Sequence, residues 1–286
     1  MNEPRYMSGA DTRATPTARR RVFTRIPWSV PKLQRLVHWR DLVRELVGRD
    51  LKVRYKRSWL GFAWALANPL LYLTVFYFVF QMALSLNIPR YGLFAFSGML
   101  AWSWFQSSLS QACSAITQSR ELIRLPGFVP AVLPIVSVVT NLIHFLLALV
   151  LLILYLVLDG TGLRYSMALL PFLIALQFVL TMGLAFLVAT ANVLFRDTQH
   201  LVVVSLQLFF FLTPIFYDAS IVPARYQPFY RLNPMVHLVE AYRAVLLGTE
   251  PPSETALLVL AVVAAGLLYG GYKIFVRVSH RFVEEL

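Results

Sequence analysis

Between Leu51 and Tyr217 the chain carries acidic side chains only at Glu121, Asp159 and Asp197, and the intervals between them are long apolar runs. A helix needs about 20 predominantly apolar residues to cross the hydrocarbon core of a bilayer. Six runs meet that condition, at roughly 59–86, 92–117, 131–158, 166–195, 199–217 and 255–276. The fold class expected is therefore an all-α polytopic membrane protein with six transmembrane helices. Composition agrees: 58% of residues are hydrophobic and 14% charged, against about 25% charged in soluble domains. Pro69 and Pro214, in "LANPLL" and "FLTPIF", predict kinks, which a bundle tolerates because neighbouring helices satisfy the freed backbone groups.

The net charge of +12 would suit a nucleic-acid partner, but 15 of the 26 Lys and Arg residues fall at positions 1–57, ahead of the first apolar run. That placement is a topology signal. With a cytoplasmic N-terminus, 21 cations lie on inner segments and 5 on outer ones, namely Arg90, Arg164, Arg225, Arg231 and Arg243. Both termini are expected in the cytoplasm, and no nucleic acid is expected as partner. Lys52, Arg54, Lys56 and Arg57 form the cationic stop beside the first run.

Ahead of that stop, Trp39, Leu42, Val43, Leu46 and Val47 recur at helical spacing, while Arg40, Asp41, Arg44, Glu45, Arg49 and Asp50 take the other faces. This pattern predicts an amphipathic helix over 31–57 on the inner membrane surface. Two readings fit it: a helix with its cations among anionic headgroups, or one that only anchors the chain. Residues 1–30 form a basic segment, rich in Arg, Thr, Ala and Pro over about its first 27 positions, and disorder is expected there. Glu3, Asp11 and the prolines count against a mitochondrial transit peptide, and no apolar stretch of a secretory signal is present.

All 14 carboxylates lie outside the proposed spans or at their ends. Proton-coupled carriers commonly keep an acid inside the membrane as a relay, so that class is disfavoured. Asp159, Asp218, Glu240, Glu250 and Glu254 are scattered through outer loops without metal-ligand spacing, so catalysis and a metal site have little support. No GxxxxGK[ST] loop occurs, and any ATP-driven work needs another polypeptide. Cys113 is the only cysteine, which excludes an internal disulfide. Within the spans Asn68, Gln106, Gln111, Asn141, His144, Gln177, Asn192 and Gln207 are expected mainly as hydrogen-bond partners between helices; together they would also suit the wall of a polar path.

Two connections carry structure of their own. In "SRELIRLPGF", Ser119 is a candidate N-cap for one or two turns through Glu121 and Arg124, ended by Pro126 and Gly127. Between the fifth and sixth runs, Asn233 can cap a helix that has Pro234 at its first position and Gly248 beyond its end. At about 13 residues it is too short to span, so an interfacial or re-entrant helix pair is expected, with Arg231, Glu240, Tyr242 and Arg243 giving this outer cap polar character. Trp59, Trp64, Trp102 and Trp104 suit interfacial belts.

From about position 38 onward the chain resembles the membrane subunit of ABC-2 type polysaccharide exporters. The stretches that carry this are "RDLKVRYKRSWLGFAWALANPLL", "LFAFSGMLAWSWFQSSLS", "LIRLPGFVPAVLPIVSVVTNLIHF", "ANVLFRDTQHLV", "FFFLTPIFYDASIVPARYQPFYRLNPMVHLVEAYRAVLLG" and "SHRFVEEL". The resemblance implies an ABC-2 type transmembrane domain over 58–286 and a homodimer of this chain in the bacterial inner membrane. It implies a separate ABC ATPase subunit that binds ATP and Mg, with no cofactor in this chain. The ATPase contact would involve Trp39, Arg44, Arg49, Glu121, Arg124, Phe128, Arg196 and Asp197. The outer gate would include Arg231, Asn233, Glu240, Tyr242 and Arg243. The cargo implied is a polyprenyl-pyrophosphate-linked glycan such as O-antigen or teichoic acid, and Lys52, Arg54, Lys56 and Arg57 are placed where its anionic headgroup would enter. The basic segment before about residue 30 is longer than the family usually carries. Alternatives are a drug or small-lipid exporter of the same superfamily, a polytopic membrane glycosyltransferase, and a structural scaffold.

Overall fold

The computed structural model describes residues 32–55, 88–160, 162 and 164–285, with isolated positions between 67 and 82. The expectations for residues 1–31, for Lys56 and Arg57, and for Trp59, Trp64, Asn68 and Pro69 lie outside the described residues. Among the described residues every regular element is helical. The main ones are α1 Lys32–Tyr55, α2 Tyr91–Gln118, α3 Val132–Leu158, α4 Leu170–Leu194, α5 Thr198–Leu212, α6 Pro234–Leu247 and α7 Glu254–Val278.

Three helical stretches, Val132–Leu158, Tyr165–Leu194 and Glu254–Glu285, are long and apolar enough to cross a membrane. At 27 residues and 1.5 Å per residue, α3 is about 40 Å long. The chain is thus built as a multi-pass membrane protein. The 28-residue α2 is as long as these but carries Ser and Gln among its apolar residues, and it sits at the centre, packed on α3, α4, α5 and α6.

That central position corrects one expectation. Trp102 and Trp104 are 1% and 2% exposed, so they are core residues rather than belt residues. A buried indole N–H needs an acceptor. Trp102 Nε1 donates to Gln106 Oε1 at 2.9 Å and Trp104 Nε1 to the Val138 carbonyl at 3.4 Å. Gln111 and Gln177 act as interhelical partners: Gln111 Nε2 donates to Asn141 Oδ1 at 3.2 Å, and Gln177 Nε2 to the Ala101 carbonyl at 2.8 Å.

The helices α4 and α7 approach each other closely at two glycines. A Cβ built on Gly183 would lie 2.6 Å from the backbone of Leu267 and Leu268, and one on Gly271 would lie 2.5 Å from the Gly183 carbonyl oxygen. Small residues let backbones meet where lipid supplies no hydrophobic drive between helices.

The fifth apolar run, expected as a span over 199–217, is helical only over the 15 residues of α5. Pro214 removes a backbone donor and disfavours helical geometry at the residue before it, and Thr213 is accordingly extended at φ −100, ψ 138. At about 22 Å, α5 is shorter than the ~30 Å hydrocarbon core. Thr213 to Phe216 turn back into the bundle, where Ile215 and Phe216 are buried.

At the other end of the bundle, Leu46 and Val47 of α1 are buried against Val132 and Val136 of α3, with Trp39, Leu42, Val43 and Leu51 packed around them. Arg40, Asp41, Arg44, Glu45 and Arg49 stay exposed. The apolar stripe read from the sequence is therefore seated on the first turns of α3. The short helix Phe282–Glu285 near the C-terminus contacts Arg120–Ile123 at this same end.

Candidate functional site

The helix break at Pro214 and the N-terminus of α6 are tied together by one side chain. Asn233 Oδ1 accepts from the Met235 N–H at 3.0 Å, capping α6, while its Nδ2 donates to Thr213 Oγ1 at 2.9 Å. Pro234 occupies the first turn, where a missing N–H costs nothing. Gly248 ends α6 in the left-handed region at φ 75, a conformation glycine adopts without strain. This 14-residue helix matches the one expected.

Arg243, on the buried face of α6, is 3% exposed. Its Nε donates to the Phe94 carbonyl at 3.2 Å and its NH2 group to the Ile215 carbonyl at 2.7 Å. The guanidinium lies 3.4 Å from the centroid of the Phe94 ring. Gly98 leaves room for it, since a Cβ there would come within 2.9 Å of the guanidinium. A buried cation is costly unless hydrogen-bonded, and here backbone carbonyls and a ring face hold it. Arg243 thereby joins α2, the segment after α5, and α6.

Over this junction opens a polar cavity of about 510 Å³. Asp218, Ser220, Gln227, Tyr230, Arg231, His237, Glu240, Arg243 and Glu250 line it, with Phe94 at its wall. Asp218 Oδ1 accepts from the Ser220 N–H at 2.8 Å. The Ser220 side chain, by hydrogen bonding, holds the Asp218 carboxyl below its usual range against the opposing effect of burial, with the backbone bond and the Arg243 charge as smaller contributions. Burial pushes Glu240 up, against the pull of His237, Arg231 and Arg243. Burial likewise raises the Tyr230 phenol, which is also hydrogen-bonded to the Tyr217 hydroxyl at 3.3 Å. His237 Nε2 lies 2.8 Å from the Arg231 carbonyl oxygen, which fixes the tautomer with the proton on Nε2.

A second polar cavity, about 430 Å³, lies at the α1 end. Arg49 and Asp50 of α1, Ser110, Gln111, Ser114 and Gln118 of α2, and Ser137 of α3 line it. Lys52 is exposed one turn further along α1. Glu121, Arg124, Arg196 and Asp197 are exposed on this end of the bundle, Phe128 and Trp39 are half-buried, and Arg44 is exposed on α1. Ser119 stands at the N-cap of Arg120–Ile123, but its side chain makes no capping bond, unlike the cap expected of it.

Of the residues expected at the outer cap, Arg231, Glu240 and Arg243 meet at the first cavity and Asn233 braces its helix. Tyr242 does not contribute polar character: it is buried, with its ring 6.0 Å from that of Phe145. Helical periodicity explains the split, because a residue next to Arg243 in sequence faces another neighbour. Gln227, Tyr230 and His237 escaped the sequence reading. Asp218 and Glu250 were visible only as scattered loop acids, because their convergence depends on how the segment folds over α6. Among the described residues no group of three or more His, Cys, Asp or Glu side chains could hold a metal ion.

Comparison with known proteins follows the same lines. The profile of the ABC-2 type transporter family matches residues 41–247. A Myxococcus xanthus protein named O-antigen export system permease protein RfbA is 36% identical over 256 residues, covering 89% of this chain and 98% of that protein. A Klebsiella pneumoniae protein of the same name is 30% identical over 249 residues, covering 86% and 95%. The polysialic acid transport protein KpsM of Escherichia coli is 21% identical over 236 residues, covering 82% and 92%.

Proposed function

Since the chain belongs to the ABC-2 type transporter family, we propose that it is the membrane permease subunit of an ATP-driven exporter of a lipid-linked polysaccharide of the O-antigen kind. The observation that carries this reading is its 36% identity to an O-antigen export permease over 98% of that protein's length. In the reading, six spans cross the bacterial inner membrane with both termini in the cytoplasm. Residues 31–57 form the interface helix, residues 58–286 the transmembrane domain, and the short helices Ala219–Ile221, Ala224–Tyr226 and Gln227–Tyr230, with α6 itself, an outer re-entrant gate. Residues 1–30 are a disordered basic extension. A drug or small-lipid exporter would need the same fold, but relatives named for polysaccharides favour a glycan.

The chemistry supports the same conclusion. A pyrophosphate-linked polymer cannot cross hydrocarbon unaided, because burying charges and hydroxyls without partners costs several kcal/mol each. The chain offers polar chambers at opposite ends of its bundle. Hydrolysis of ATP with Mg belongs to a separate nucleotide-binding subunit, two copies of which pair with two copies of this chain. Trp39, Arg44, Arg49, Glu121, Arg124, Phe128, Arg196 and Asp197 are the proposed contact, and this chain itself holds no cofactor and performs no catalysis.

Native purification of the tagged chain from its own membranes, followed by mass spectrometry of what remains bound, tests the reading. An ABC ATPase in equal amount, two copies of the chain and a polyprenyl-linked glycan are the expected outcome. A chain recovered without an ATPase that turns over substrate by itself would replace the permease with a membrane glycosyltransferase.

A further inference from the structure

The cavity above Arg243 is chemically unusual for this chain. It collects side chains from the connection after α5, from α6 and from the segment leading into α7. Its volume of about 510 Å³ falls inside the ~300–1,000 Å³ range of small-molecule sites.

Its charges limit what it can hold. Asp218, Glu240 and Glu250 bring three carboxylates, Arg231 and Arg243 bring the opposing guanidinium groups, and His237, its Nε2–H committed to the Arg231 carbonyl, presents Nδ1 as an acceptor. A free anion would meet the carboxylates, and a cation would meet the guanidinium groups. The balance suits an uncharged, polyhydroxylated ligand. A sugar hydroxyl both donates and accepts, so neighbouring hydroxyls can give a hydrogen to a carboxylate and take one from a guanidinium. Vicinal hydroxyls also match the paired oxygens of a carboxylate and the fork of an arginine.

The groups are available for such a ligand. Glu240 forms no hydrogen bond or ion pair among the described residues, and the Arg231 guanidinium none either. Arg243, by contrast, is occupied by two carbonyls and serves as the floor. Asp218 is oriented by its bond from Ser220, and His237 by its bond to the Arg231 carbonyl. Fixed polar groups around an open volume are what a specific site requires.

We propose that this cavity is a carbohydrate subsite that takes neutral sugar units through Asp218, Arg231, His237 and Glu240. The proposal rests on the exporter reading and gives its cargo a place to be held at the α6 end of the path. Phosphate or pyrophosphate is not its ligand.

The test uses the chain in complex with its ATPase in lipid nanodiscs and saturation-transfer NMR with neutral trisaccharides of mannose, galactose and rhamnose at millimolar concentration. At least one should receive saturation from the protein, and inorganic phosphate should not displace it. The double variant Arg231→Gln with Glu240→Gln should cut that transfer at least fivefold, and Ser220→Trp, which fills the cavity, should do the same. Both variants are to be checked for monodispersity first. Transfer no greater than from empty nanodiscs, transfer unchanged in both variants, or displacement by phosphate would each overturn the proposal. Failure of the exporter reading has a different signature: lipid-linked glycan would still reach the cell surface after the chain is depleted. If export stops on depletion but no trisaccharide binds, only the subsite is wrong.

Discussion

Arg243 donates to the carbonyl of Ile215 at 2.7 Å across a junction that no apolar contact could replace. The Ile215 carbonyl belongs to the bent, non-helical segment after Pro214, so it has no helical partner of its own. Replacing Arg243 with Met keeps most of the packing but leaves this carbonyl and that of Phe94 without their donor. The expected loss is on the order of 2–5 kcal/mol. Arg243→Lys should recover only part of it, because an ammonium cannot present the planar fork. Apparent Tm in detergent should fall in the order unsubstituted, Lys, Met; three equal values would mean the tie contributes nothing.

Gly271 sets a second expectation. A side chain there meets the Gly183 carbonyl at 2.5 Å, backbone against backbone, and neither helix can give way by a rotamer change. Gly271→Leu should force α4 and α7 apart at a cost of about 1–3 kcal/mol or more. Gly266→Leu, on the exposed side of the same helix with nothing within 4 Å, should be tolerated. The monodisperse fraction after extraction separates them, and equal recovery would remove the close approach as a determinant of packing.

Two of the three carboxylates of the α6-end cavity, Asp218 and Glu240, should give opposite pH dependences. Asp218 is held below its usual range in the folded chain. Its contribution to stability is therefore present above the unfolded value of about 3.9 and lost as pH falls through the lower folded value. Glu240 is raised by burial, so it destabilises the fold as pH climbs from about 4.3 towards its folded value. At pH 7, Asp218→Asn should lower the apparent Tm and Glu240→Gln should raise it. The gain from Glu240→Gln should vanish by pH 4; a gain independent of pH would assign the effect to something other than the charge.

The long elements were legible because each rests on a local cause. Asn233, Pro234 and Gly248 mark the ends of α6 by cap, first-turn proline and left-handed glycine, and the structure places the helix between them. Trp102 and Trp104 were misread because a tryptophan near the middle of an apolar run looks the same whether it faces lipid or a neighbouring helix; only the packing of α3, α4 and α6 around α2 decides. The Pro214 break was expected as a kink, but the complete stop at Leu212 is held by Asn233 donating to the Thr213 hydroxyl and Arg243 donating to the Ile215 carbonyl. The α6-end cavity was least legible, because Asp218, Glu240 and Glu250 are brought together by a fold rather than by a motif.

At the α1 end, the apolar seat and the charged face can be tested separately. Leu46 and Val47 are buried on α3, so Val47→Asp places an unpaired charge there and should unseat α1. Arg44 is exposed, and Arg44→Glu should leave α1 seated. If this helix presents the ATPase contact, both variants should reduce the ATPase that co-purifies, but only Val47→Asp should increase amide exchange along α1. Full ATPase recovery with Arg44→Glu would move the contact away from this face.

The cations that follow this seat carry a graded prediction. Lys52 is exposed at the last turns of α1, and Arg54, Lys56 and Arg57 continue the basic run. A cation near an anionic membrane surface is worth about 1 kcal/mol, roughly a fivefold change in affinity. If these residues attract the pyrophosphate headgroup as well as fixing topology, stepwise replacement by Gln should lower export in steps of similar size. Topology must be read in the same strains, because removing four cations weakens the orientation signal. A quadruple variant that inserts correctly and exports at the original rate would leave these residues with the topological role alone. Export that falls only when orientation fails would lead to the same conclusion, since the loss would then follow from misinsertion and not from the headgroup.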